Sequence, residues 1–592
     1  MKKNIEQLIK EALSALQAEG TLLEDFSSRV QVTSPKNHDH GDFSTNIALL
    51  IAGVLKKQPR EMAQLLLDKI PSVDFVAKRE IAGIGFINFS LTSMATHQVI
   101  LDILQQKEKF GHSMIGHQQR VYLEFVSANP TGPLHVGHGR GAAFGACVAN
   151  LLSAAGFKVH REYYVNDAGR QMQILALSVW LRYLELIGYT LSFPVNAYQG
   201  QYIIDIARSL HQEYPQEFMC EAAELAQQIP SPSQAEEDKE SYIDHYIAAA
   251  QTLIGEDQFL IIQNTAVDDI LTDIREDLEE FRVVYDRWFH ESQLVAEGAL
   301  NHVLEILHRA RHTYESEGAL WFRATEFGDE KDRVLIRENG KPTYFAMDTA
   351  YHLYKYETQS EQIIDIFGAD HHGYVPRMKA FIAGLGKEVN RFKVLLVQFA
   401  SLYRGKERIS MSTREGSFVT LRELREEVGD DAARFFYIMR RPEQHLDFDL
   451  ELAKSKSNEN PVYYIQYAHA RICSVFRQLQ QKLSSSSLPD SWDEEEGKAH
   501  LSLLTTVCEN EMINLISQYS TIVEDSALHF EPHNIAHYLQ EVAGCFHRYY
   551  NSEQFLIENS SLRNARLCLI KAVQTVIKNA LGLLGIQAPE EM

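Results

Sequence analysis

The chain has 592 residues, more than one hydrophobic core accommodates, so we expect several domains. With 45% hydrophobic and 23% charged residues, its composition is typical of a folded globular protein and excludes a disordered or fibrous one. The formal net charge of −23 excludes a protein that coats nucleic acid through overall positive charge, so any RNA contact must use local patches.

The first predicted unit is a small α/β domain over residues 1–116. An amphipathic helix opens it, a polar turn leads to a second helix, and the apolar segment 79–91 is predicted as a strand with Gly83 and Gly85 as breakers. No apolar export segment follows the first helix, and no run of about 18 apolar residues occurs. We therefore expect a cytoplasmic protein that does not contact a membrane.

A parallel nucleotide-binding sheet is predicted within residues 117–455. The apolar strand 121–127 leads through a Gly/Pro-rich turn into a helix of small residues, and the strand 158–167 follows. Further strands are predicted at 363–370 and 394–402. This alternation predicts a Rossmann-type α/β domain.

Two helical regions complete the predicted organisation. An acidic, mostly helical stretch at about 198–281 interrupts the sheet pattern and is predicted as an insertion. After about Lys456 the strand pattern ends, and long helical segments predict a C-terminal bundle over residues 456–592. The six cysteines are scattered without CxxC pairs, which predicts buried thiols and no protein-built metal cage.

The first chemical motif is His135-Val136-Gly137-His138, directly after a predicted strand and turn, at the start of a helix. Backbone N–H groups and the helix dipole favour phosphate there. Two imidazoles can donate hydrogen bonds to the charge that develops on a pentacoordinate phosphorus, and Gly137 leaves room for adenine and ribose. An isolated HxGH is a weak signal, but its place after a parallel strand strengthens it.

The second phosphate element is the basic loop 404–414, which carries Arg404, Lys406, Arg408 and Arg414. Most charged loops of this kind are solvated surface segments. This one follows a predicted strand, where open α/β sheets bind ligands, so we treat its cations as candidate catalytic groups.

Together the two motifs resemble the HIGH and KMSKS signatures of class I aminoacyl-tRNA synthetases. Further segments, in family order, resemble the arginyl-tRNA synthetase family: 124–142, 162–171, 289–294, 368–378, 460–472 and 581–586. The resemblance covers nearly the whole chain. It implies activation of L-arginine by ATP with Mg²⁺, giving arginyl-adenylate, and transfer to the 3′ end of tRNA(Arg). It also implies that activation requires bound tRNA, and we expect a monomer with a tRNA-contacting N-terminal domain and an anticodon-binding bundle.

The resemblance assigns the ATP side of the site by position. The residues concerned are Pro133, His135, Gly137 and His138 in the first motif, Gly368, Asp370 and His371 on the ribose and adenine side, and Ser410, Met411 and Ser412 in the second motif. His135, His138, Lys406 and Arg414 are the expected catalytic residues. A buried core pair remains the alternative for His371 and His372.

The arginine side follows from the same resemblance. A guanidinium requires planar, bidentate anionic partners, and Glu291 and Asp348, with Tyr344, match the family's clamp. Asn129 matches the ligand of the α-amino group, and Ser127 lies in the same strand-end segment. Without the resemblance, a lone Glu or Asp is ordinarily a surface charge.

For RNA, the resemblance places the N-terminal domain at the outer corner of the tRNA. There Phe86 could stack on a D-loop base and Asn88 could bond its edge, with plain strand packing as the alternative. The C-terminal helix around Tyr467, His469 and Arg471 faces either RNA or the catalytic core, and the sequence does not decide between them.

The second motif departs from the family pattern. Ser410 and Thr413 stand where its fullest form has lysines, and Gly132 stands where some arginyl enzymes have a compensating lysine. The cation that neutralises the leaving pyrophosphate is therefore left to the other basic residues of the loop.

The sequence argues against three rival functions. A cysteinyl-type synthetase needs a zinc site that the scattered cysteines do not predict. A small HxGH nucleotidyltransferase leaves the N-terminal domain and the helical tail unexplained. A catalytically dead paralogue would have lost His135, His138 or the acidic clamp, all of which are present.

Overall fold

The computed structural model describes residues 1–33, 35, 41–191, 193–228, 238–409, 419–484 and 492–592. A four-stranded antiparallel sheet with three helices forms the N-terminal domain, with the strands in the order β1-β2-β4-β3. Its elements, followed by a connecting helix, are α1 (Lys2–Ala18), β1 (Val32–Thr33), β2 (Phe43–Thr45), α2 (Ile47–Leu55), α3 (Pro59–Lys69), β3 (Val76–Ala82), β4 (Phe86–Leu91) and α4 (Ser93–Gln106).

The single strand expected over 79–91 is corrected by the structure. The segment is a hairpin of β3 and β4, and its turn contains Gly83 and Gly85 at φ +54° and +145°. Side chains rarely adopt such backbone angles, so the glycines reverse the chain and do not merely interrupt one strand.

The catalytic region follows. Its strands are β5 (Arg120–Phe125), β6 (Lys158–Val165), β7 (Arg287–His290), β8 (Thr313–Ser316), β9 (Ala319–Phe322), β10 (Arg333–Ile336), β11 (Gln362–Gly368), β12 (Phe392–Val397), β13 (Ala400–Arg404), β14 (Glu407–Arg408) and β15 (Leu446–Asp449). Its helices are α5 (Val136–Ala154), α6 (Arg170–Leu186), α7 (Gln201–Glu213), α8 (Ala222–Gln228), α9 (Lys239–Ile254), α10 (Glu256–Glu280), α11 (Glu291–Ala296), α12 (Ala299–Arg309), α13 (Tyr344–Glu357), α14 (Val375–Gly384), α15 (Leu421–Val428), α16 (Asp430–Ile438) and α17 (Leu450–Lys454).

A five-stranded parallel sheet is the centre of this region, in the order β12-β11-β5-β6-β7. The strand order reverses between β5 and β11, and ligands of open α/β sheets bind outside the carboxyl ends of the strands at such a switch point. The HxGH segment follows β5 and the GADHHGY segment follows β11, so the topology brings both to one crevice. The predicted Rossmann-type architecture is confirmed.

The strand expected over 394–402 is two strands. β12 ends at Val397 and belongs to the parallel sheet, whereas β13 begins at Ala400 and pairs with β14 and β15 in a separate sheet. The apolar sequence runs through both, so the break at Gln398 and Phe399 was not visible in its pattern.

Long helices close the chain: α18 (Pro461–Ser484), α19 (Glu494–Ala499), α20 (Val507–Ser517), α21 (Tyr519–His529), α22 (His533–Ser552) and α23 (Ser560–Leu583). The helix α4 packs against α20 and α23, which connects the first region to the bundle. None of the helices in the described ranges is long and apolar enough to cross a membrane.

Two residues of α18 whose surroundings the sequence left undecided, His469 and Arg471, have different contacts. His469 lies 2.8 Å from the carbonyl of Pro589 and is buried against the end of the chain. Arg471 lies on the other side, with its guanidinium 4.5 Å from the Tyr467 ring and 4.7 Å from the Tyr550 ring. His469 therefore has a packing role, whereas contact of Tyr467 and Arg471 with RNA stays a prediction.

Candidate active site

A sharp turn after β5 carries the chain across the crevice. Val126 and Ser127 have φ of +70° and +44°, angles that non-glycine residues adopt at a cost and that need support from the surroundings. The Ser127 hydroxyl provides that support, because it donates to Glu124 Oε1 at 2.8 Å and accepts from the Tyr164 amide at 3.1 Å. The hydroxyl thus ties β5 to β6, and its contact with arginine stays a prediction.

Two stacked histidines begin α5 beside this turn. Nδ1 of His135 accepts from the Gly137 amide at 3.0 Å, and Nδ1 of His138 accepts from the His135 amide at 3.3 Å. The ring centroids are 3.7 Å apart. Burial lowers the pKa of both imidazoles, and for His138 the pKa falls to about 3. Each ring is therefore neutral, with its proton on Nε2, because Nδ1 is an acceptor in both.

The glycine between these histidines is required by the His135 ring. A Cβ on Gly137 would lie 2.7 Å from His135 Cε1, so a larger residue would displace the imidazole. The same Cβ would lie 3.7 Å from Phe399, and one on Gly368 would lie 3.6 Å from Phe399. The Phe399 ring, 44% exposed, therefore lies between the glycines of the two predicted ATP segments. The sequence interpretation missed Phe399 by placing it inside a strand.

The residues expected on the ribose side lie in the open. Asp370 and His371 follow β11 in a short 3₁₀ turn, with His371 Nε2 3.6 Å from Asp370 Oδ2, and their side chains are 56% and 62% exposed. His372 is exposed as well. The alternative of a buried histidine pair is therefore excluded. Pro133 is partly buried in the loop before the first motif.

Two carboxylates lie near the carboxyl ends of β6 and β11. Glu291 begins α11 and is 8% exposed, and its Oε2 accepts from the Tyr164 hydroxyl at 2.8 Å. Asp348 on α13 is partly buried, and its Oδ2 accepts from the Tyr374 hydroxyl. Burial raises the pKa of both acids, and the charge of Asp348 raises the pKa of Glu291 further.

Tyr164 thus orients Glu291, with the Asn166 amide 3.1 Å from the same oxygen, and Tyr374 orients Asp348. No hydrogen bond to Glu291 Oε1 or Asp348 Oδ1 is found among the described residues. Two like charges held close together in a low-dielectric site favour a cationic ligand, which would relieve both burial and repulsion. The pair therefore has the chemistry of a guanidinium site.

The remaining predicted arginine ligands lie at the rim. Asn129 is exposed and its Nδ2 donates to Gln171 Oε1 at 2.8 Å. Tyr344 is 62% exposed and begins α13 one helical turn before Asp348. Both are accessible to a ligand in the crevice, and their roles stay predictions.

Glu291 is positioned by a cluster that sequence reasoning missed. Asp167 accepts from the Ser292 amide at 2.9 Å, from the Ser292 hydroxyl at 2.8 Å, and lies 2.8 Å from His290 Nδ1. Burial opposes ionisation of Asp167, but hydrogen bonds from His290 and Ser292 outweigh it and lower its pKa. The cluster joins the loop after β6 to the start of α11. The segments 162–171 and 289–294 contained all of these residues and were the available signal.

The second motif is only partly described. Ser410, Met411, Ser412, Thr413 and Arg414 lie outside the described residues. Lys406 is exposed in the turn between β13 and β14.

The first residues after this gap are fixed beside the histidines. The Leu421 amide donates to the Leu134 carbonyl at 2.8 Å, and the Val136 amide donates to the Val419 carbonyl at 3.2 Å. The chain directly downstream of the predicted KMSKS-like loop is therefore hydrogen-bonded to Leu134 and Val136, the two neighbours of His135 in sequence.

The predicted D-loop residues have different environments. Phe86 is 40% exposed at the start of β4. Asn88 is 3% exposed, and its Oδ1 accepts from the Ser44 hydroxyl at 2.8 Å, which favours strand packing for this side chain. Contact with RNA stays a prediction for both.

Comparisons with known proteins give the same family along the whole chain. Residues 3–91 match the family described as "Arginyl tRNA synthetase N terminal domain", residues 99–446 match "tRNA synthetases class I (R), catalytic domain", and residues 465–592 match "DALR anticodon binding domain". The arginine–tRNA ligases of Coxiella burnetii (strain RSA 331 / Henzerling II) and Thioalkalivibrio sulfidiphilus (strain HL-EbGR7) are 54% and 55% identical to it over 592 residues, covering 100% of this chain and of each relative. The structure of Thermus thermophilus arginyl-tRNA synthetase matches the fold with a TM-score of 0.74 at 22% identity, over 100% of both chains.

Proposed function

The chain belongs to the arginyl-tRNA synthetase family, so it activates L-arginine with ATP and charges tRNA, and we propose that the crevice at the carboxyl ends of β5, β6 and β11 carries out this reaction. The observation that carries the proposal is the pair of carboxylates, Glu291 and Asp348, each oriented by a tyrosine hydroxyl. They and the stacked neutral histidines that begin α5 lie at the same edge of the parallel sheet, where the strands have their carboxyl ends.

Arginine binds with its guanidinium between Glu291 and Asp348. A guanidinium donates two parallel N–H bonds to each carboxylate, and its permanent charge offsets the unfavourable burial of the acids. Asn129 binds the α-amino group, Ser127 holds the strand end below it, and Tyr344 covers the site from the rim. Lysine is rejected because an ammonium cannot make the two parallel N–H bonds to each carboxylate that a guanidinium makes.

ATP binds on the other side of the HxGH turn. The adenine stacks on Phe399, between Gly137 and Gly368, and Pro133 and the segment 410–412 border the phosphates. Asp370 and His371 contact the ribose and the base. Each of these assignments follows the family motif by position, except Phe399, which the distances from the two glycines support.

The reaction then needs positioning and charge stabilisation, with no protein nucleophile. The arginine carboxylate attacks the α-phosphorus in line, the bond to the bridging oxygen breaks, and pyrophosphate leaves. The Nε2–H groups of His135 and His138 donate to the charge on the pentacoordinate phosphorus. Lys406 and Arg414 neutralise the departing pyrophosphate. The terminal ribose hydroxyl of the tRNA then attacks the acyl carbon, and AMP leaves.

Mg²⁺ accompanies the nucleotide in this proposal. Among the described residues, no group of three or more His, Cys, Asp or Glu side chains is placed to hold a metal ion. Mg²⁺ is ordinarily held by substrate phosphates, water and one or two carboxylates, so the ion enters on the ATP phosphates and supplies charge neutralisation there. The enzyme acts as a monomer in the cytoplasm, which sedimentation of the purified protein and cell fractionation would test.

The tRNA is held at both ends of the chain. Phe86 stacks on a base at the outer corner of the tRNA with Asn88 beside it, and the C-terminal bundle binds the anticodon arm through a surface that includes Tyr467 and Arg471. The domain limits of the proposal are 1–116, 117–455 with the insertion at about 198–281, and 456–592.

The test is ATP–pyrophosphate exchange with each of the standard amino acids, with and without total tRNA. We expect exchange with arginine and with no other amino acid, and only when tRNA is present. Exchange with another amino acid at a comparable rate would contradict the assigned substrate, and equal exchange without tRNA would contradict the requirement for tRNA.

A further inference from the structure

A row of three buried acids crosses the centre of the parallel sheet beneath the arginine site. Asp365, Glu124 and Glu162 are register partners on β11, β5 and β6, so their side chains point to the same face. They are 0%, 6% and 0% exposed. Like charges side by side in a sheet are destabilising, and buried charges need partners. The row therefore needs positive charge and hydrogen-bond donors from the element packed on it.

Lys355 of α13 supplies the positive charge. Its ammonium, 0% exposed, donates to Asp365 Oδ1 at 2.7 Å and to Glu124 Oε2, and lies 4.4 Å from the Tyr351 ring. Glu162 is satisfied mainly by neutral donors, because it accepts from the hydroxyls of Tyr351 at 3.0 Å and of Tyr122, with His160 also 3.0 Å away. Lys355 is thus the cation shared by the other two acids.

One face of α13 connects this row of acids to the arginine site. Asp348, His352 and Lys355 stand at positions i, i+4 and i+7, which lie on one helical face, and the first and last are about 10 Å apart along the axis. Between them lies His352, with Nδ1 2.7 Å from the backbone carbonyl of Asp348 and Nε2 2.9 Å from Asp365 Oδ2, so it connects the start of α13 to the acidic row. Burial raises the pKa of Asp348 and the charge of Asp365 raises it further, whereas the Tyr374 hydrogen bond and then the charges of His352 and Lys355 lower it.

We propose that Lys355 is a positioning residue for arginine recognition, which anchors α13 to the acidic row and preserves the negative charge of Asp348 for the guanidinium. This inference rests on the proposed function, since Asp348 matters to arginine only if it belongs to the clamp. The charged and titratable groups that face Asp348 are Tyr374 after β11, His352 and Lys355 on α13, Asp365 on β11, Glu291 on α11 and Tyr164 on β6.

The test is Lys355→Met, assayed by aminoacylation at saturating tRNA. A unit positive charge about 10 Å from a carboxylate, at an effective dielectric constant of about 20, favours the ionised form of that carboxylate by about tenfold, and only the ionised form of Asp348 pairs with the guanidinium. We expect the KM for arginine to rise by about that factor while the KM for ATP changes by less than about twofold. Because the pKa of Asp348 rises when the cation is lost, the increase should be larger at about pH 6.5 than at about pH 8.5.

Arg566→Met provides the matched control. Arg566, in the C-terminal bundle, is also a buried cation shared by two carboxylates, Glu509 at 2.9 Å and Glu553 at 2.6 Å. Its loss should lower the Tm without a selective, pH-dependent rise in the KM for arginine. Lys355→Met combined with Glu124→Gln removes one buried negative charge together with the cation and so protects against a misfolded single variant. Because the net charge of the row is then restored, its rise in the KM for arginine should be smaller than that of Lys355→Met.

The proposal is overturned if Lys355→Met raises both KM values by the same factor, if its effect does not depend on pH, or if restoring the net charge in the double variant leaves the rise in the KM for arginine undiminished. Asp348→Asn and Glu291→Gln separate this inference from the proposed function. If those two variants leave the KM for arginine unchanged, the clamp itself is wrong. If they raise it and a folded Lys355→Met does not, only the role of Lys355 is wrong.

Discussion

We expect two separable roles for His135, because its Nδ1 caps a helix while its Nε2–H is the proposed donor to the transition state. The ring accepts from the Gly137 amide at 3.0 Å as the N-cap of α5. Asparagine is among the best N-cap residues, so His135→Asn should keep the cap and remove the Nε2–H donor. His135→Ala removes both. We therefore expect a loss of about 0.5–2 kcal/mol of stability only in the alanine variant.

Both variants should lose catalysis to a similar extent. Removing one donor to a transition-state charge commonly lowers kcat by on the order of a hundredfold, or about 2.7 kcal/mol. Arginine-dependent, tRNA-dependent pyrophosphate exchange measures kcat, and thermal unfolding measures the cap. If His135→Asn exchanges at a near wild-type rate with an unchanged Tm, the imidazole is a helix cap and not a catalytic donor.

Three further predictions concern the two substrates and pH. Glu291→Gln and Asp348→Asn should each raise the KM for arginine by about 10- to 100-fold, since a hydrogen bond to a charged group is worth about 1.5–3 kcal/mol. Glu357→Gln, on the same helix as Asp348, should leave that KM unchanged. Equal rises in the KM for arginine and in the KM for ATP would contradict the clamp. Phe399→Ala should raise the KM for ATP by about fivefold or more and Phe399→Tyr should not, because base stacking contributes about 1–3 kcal/mol; an unchanged KM would exclude the ring from the adenine site. Burial lowers the pKa of His138 from an ordinary 6.5 to about 3, so below pH 6.5 the unfolded chain binds a proton that the folded protein does not, and stability is lost as pH falls. His138→Gln should therefore show a smaller fall in Tm from about pH 7 to about pH 5 than the wild type. Identical dependence of Tm on pH in the two proteins would argue against a buried neutral ring.

The fold was largely predictable because its signals are local and periodic. Alternation of apolar strands with helices, and the long helical segments after Lys456, predicted the parallel sheet and the bundle. The errors fell where a turn is short: the hairpin at Gly83 and Gly85, and the break near Phe399, are changes of direction inside apolar sequence. Apolar composition does not specify which sheet a strand joins, because that depends on pairing between distant segments.

The site was predictable only in part, for a different reason. Motif resemblance identified Glu291 and Asp348, which are otherwise indistinguishable from the other acids of the chain. It did not identify Tyr374 or Lys355, whose contribution is a contact with a residue on another element. Such contacts depend on the register of neighbouring strands and on which face of α13 packs against the sheet, and no single stretch of sequence predicts either.

We propose that the crevice recognises the charge of the arginine side chain through Glu291 and Asp348. The most direct measurement compares arginine with citrulline, in which a neutral urea replaces the guanidinium, by kcat/KM for aminoacylation in the wild type and in Asp348→Asn. We expect a preference for arginine of about a thousandfold or more in the wild type, because citrulline leaves buried acids unpaired. In Asp348→Asn the preference should shrink by at least about tenfold. A preference that is unchanged in Asp348→Asn would contradict the assignment of this carboxylate to the substrate.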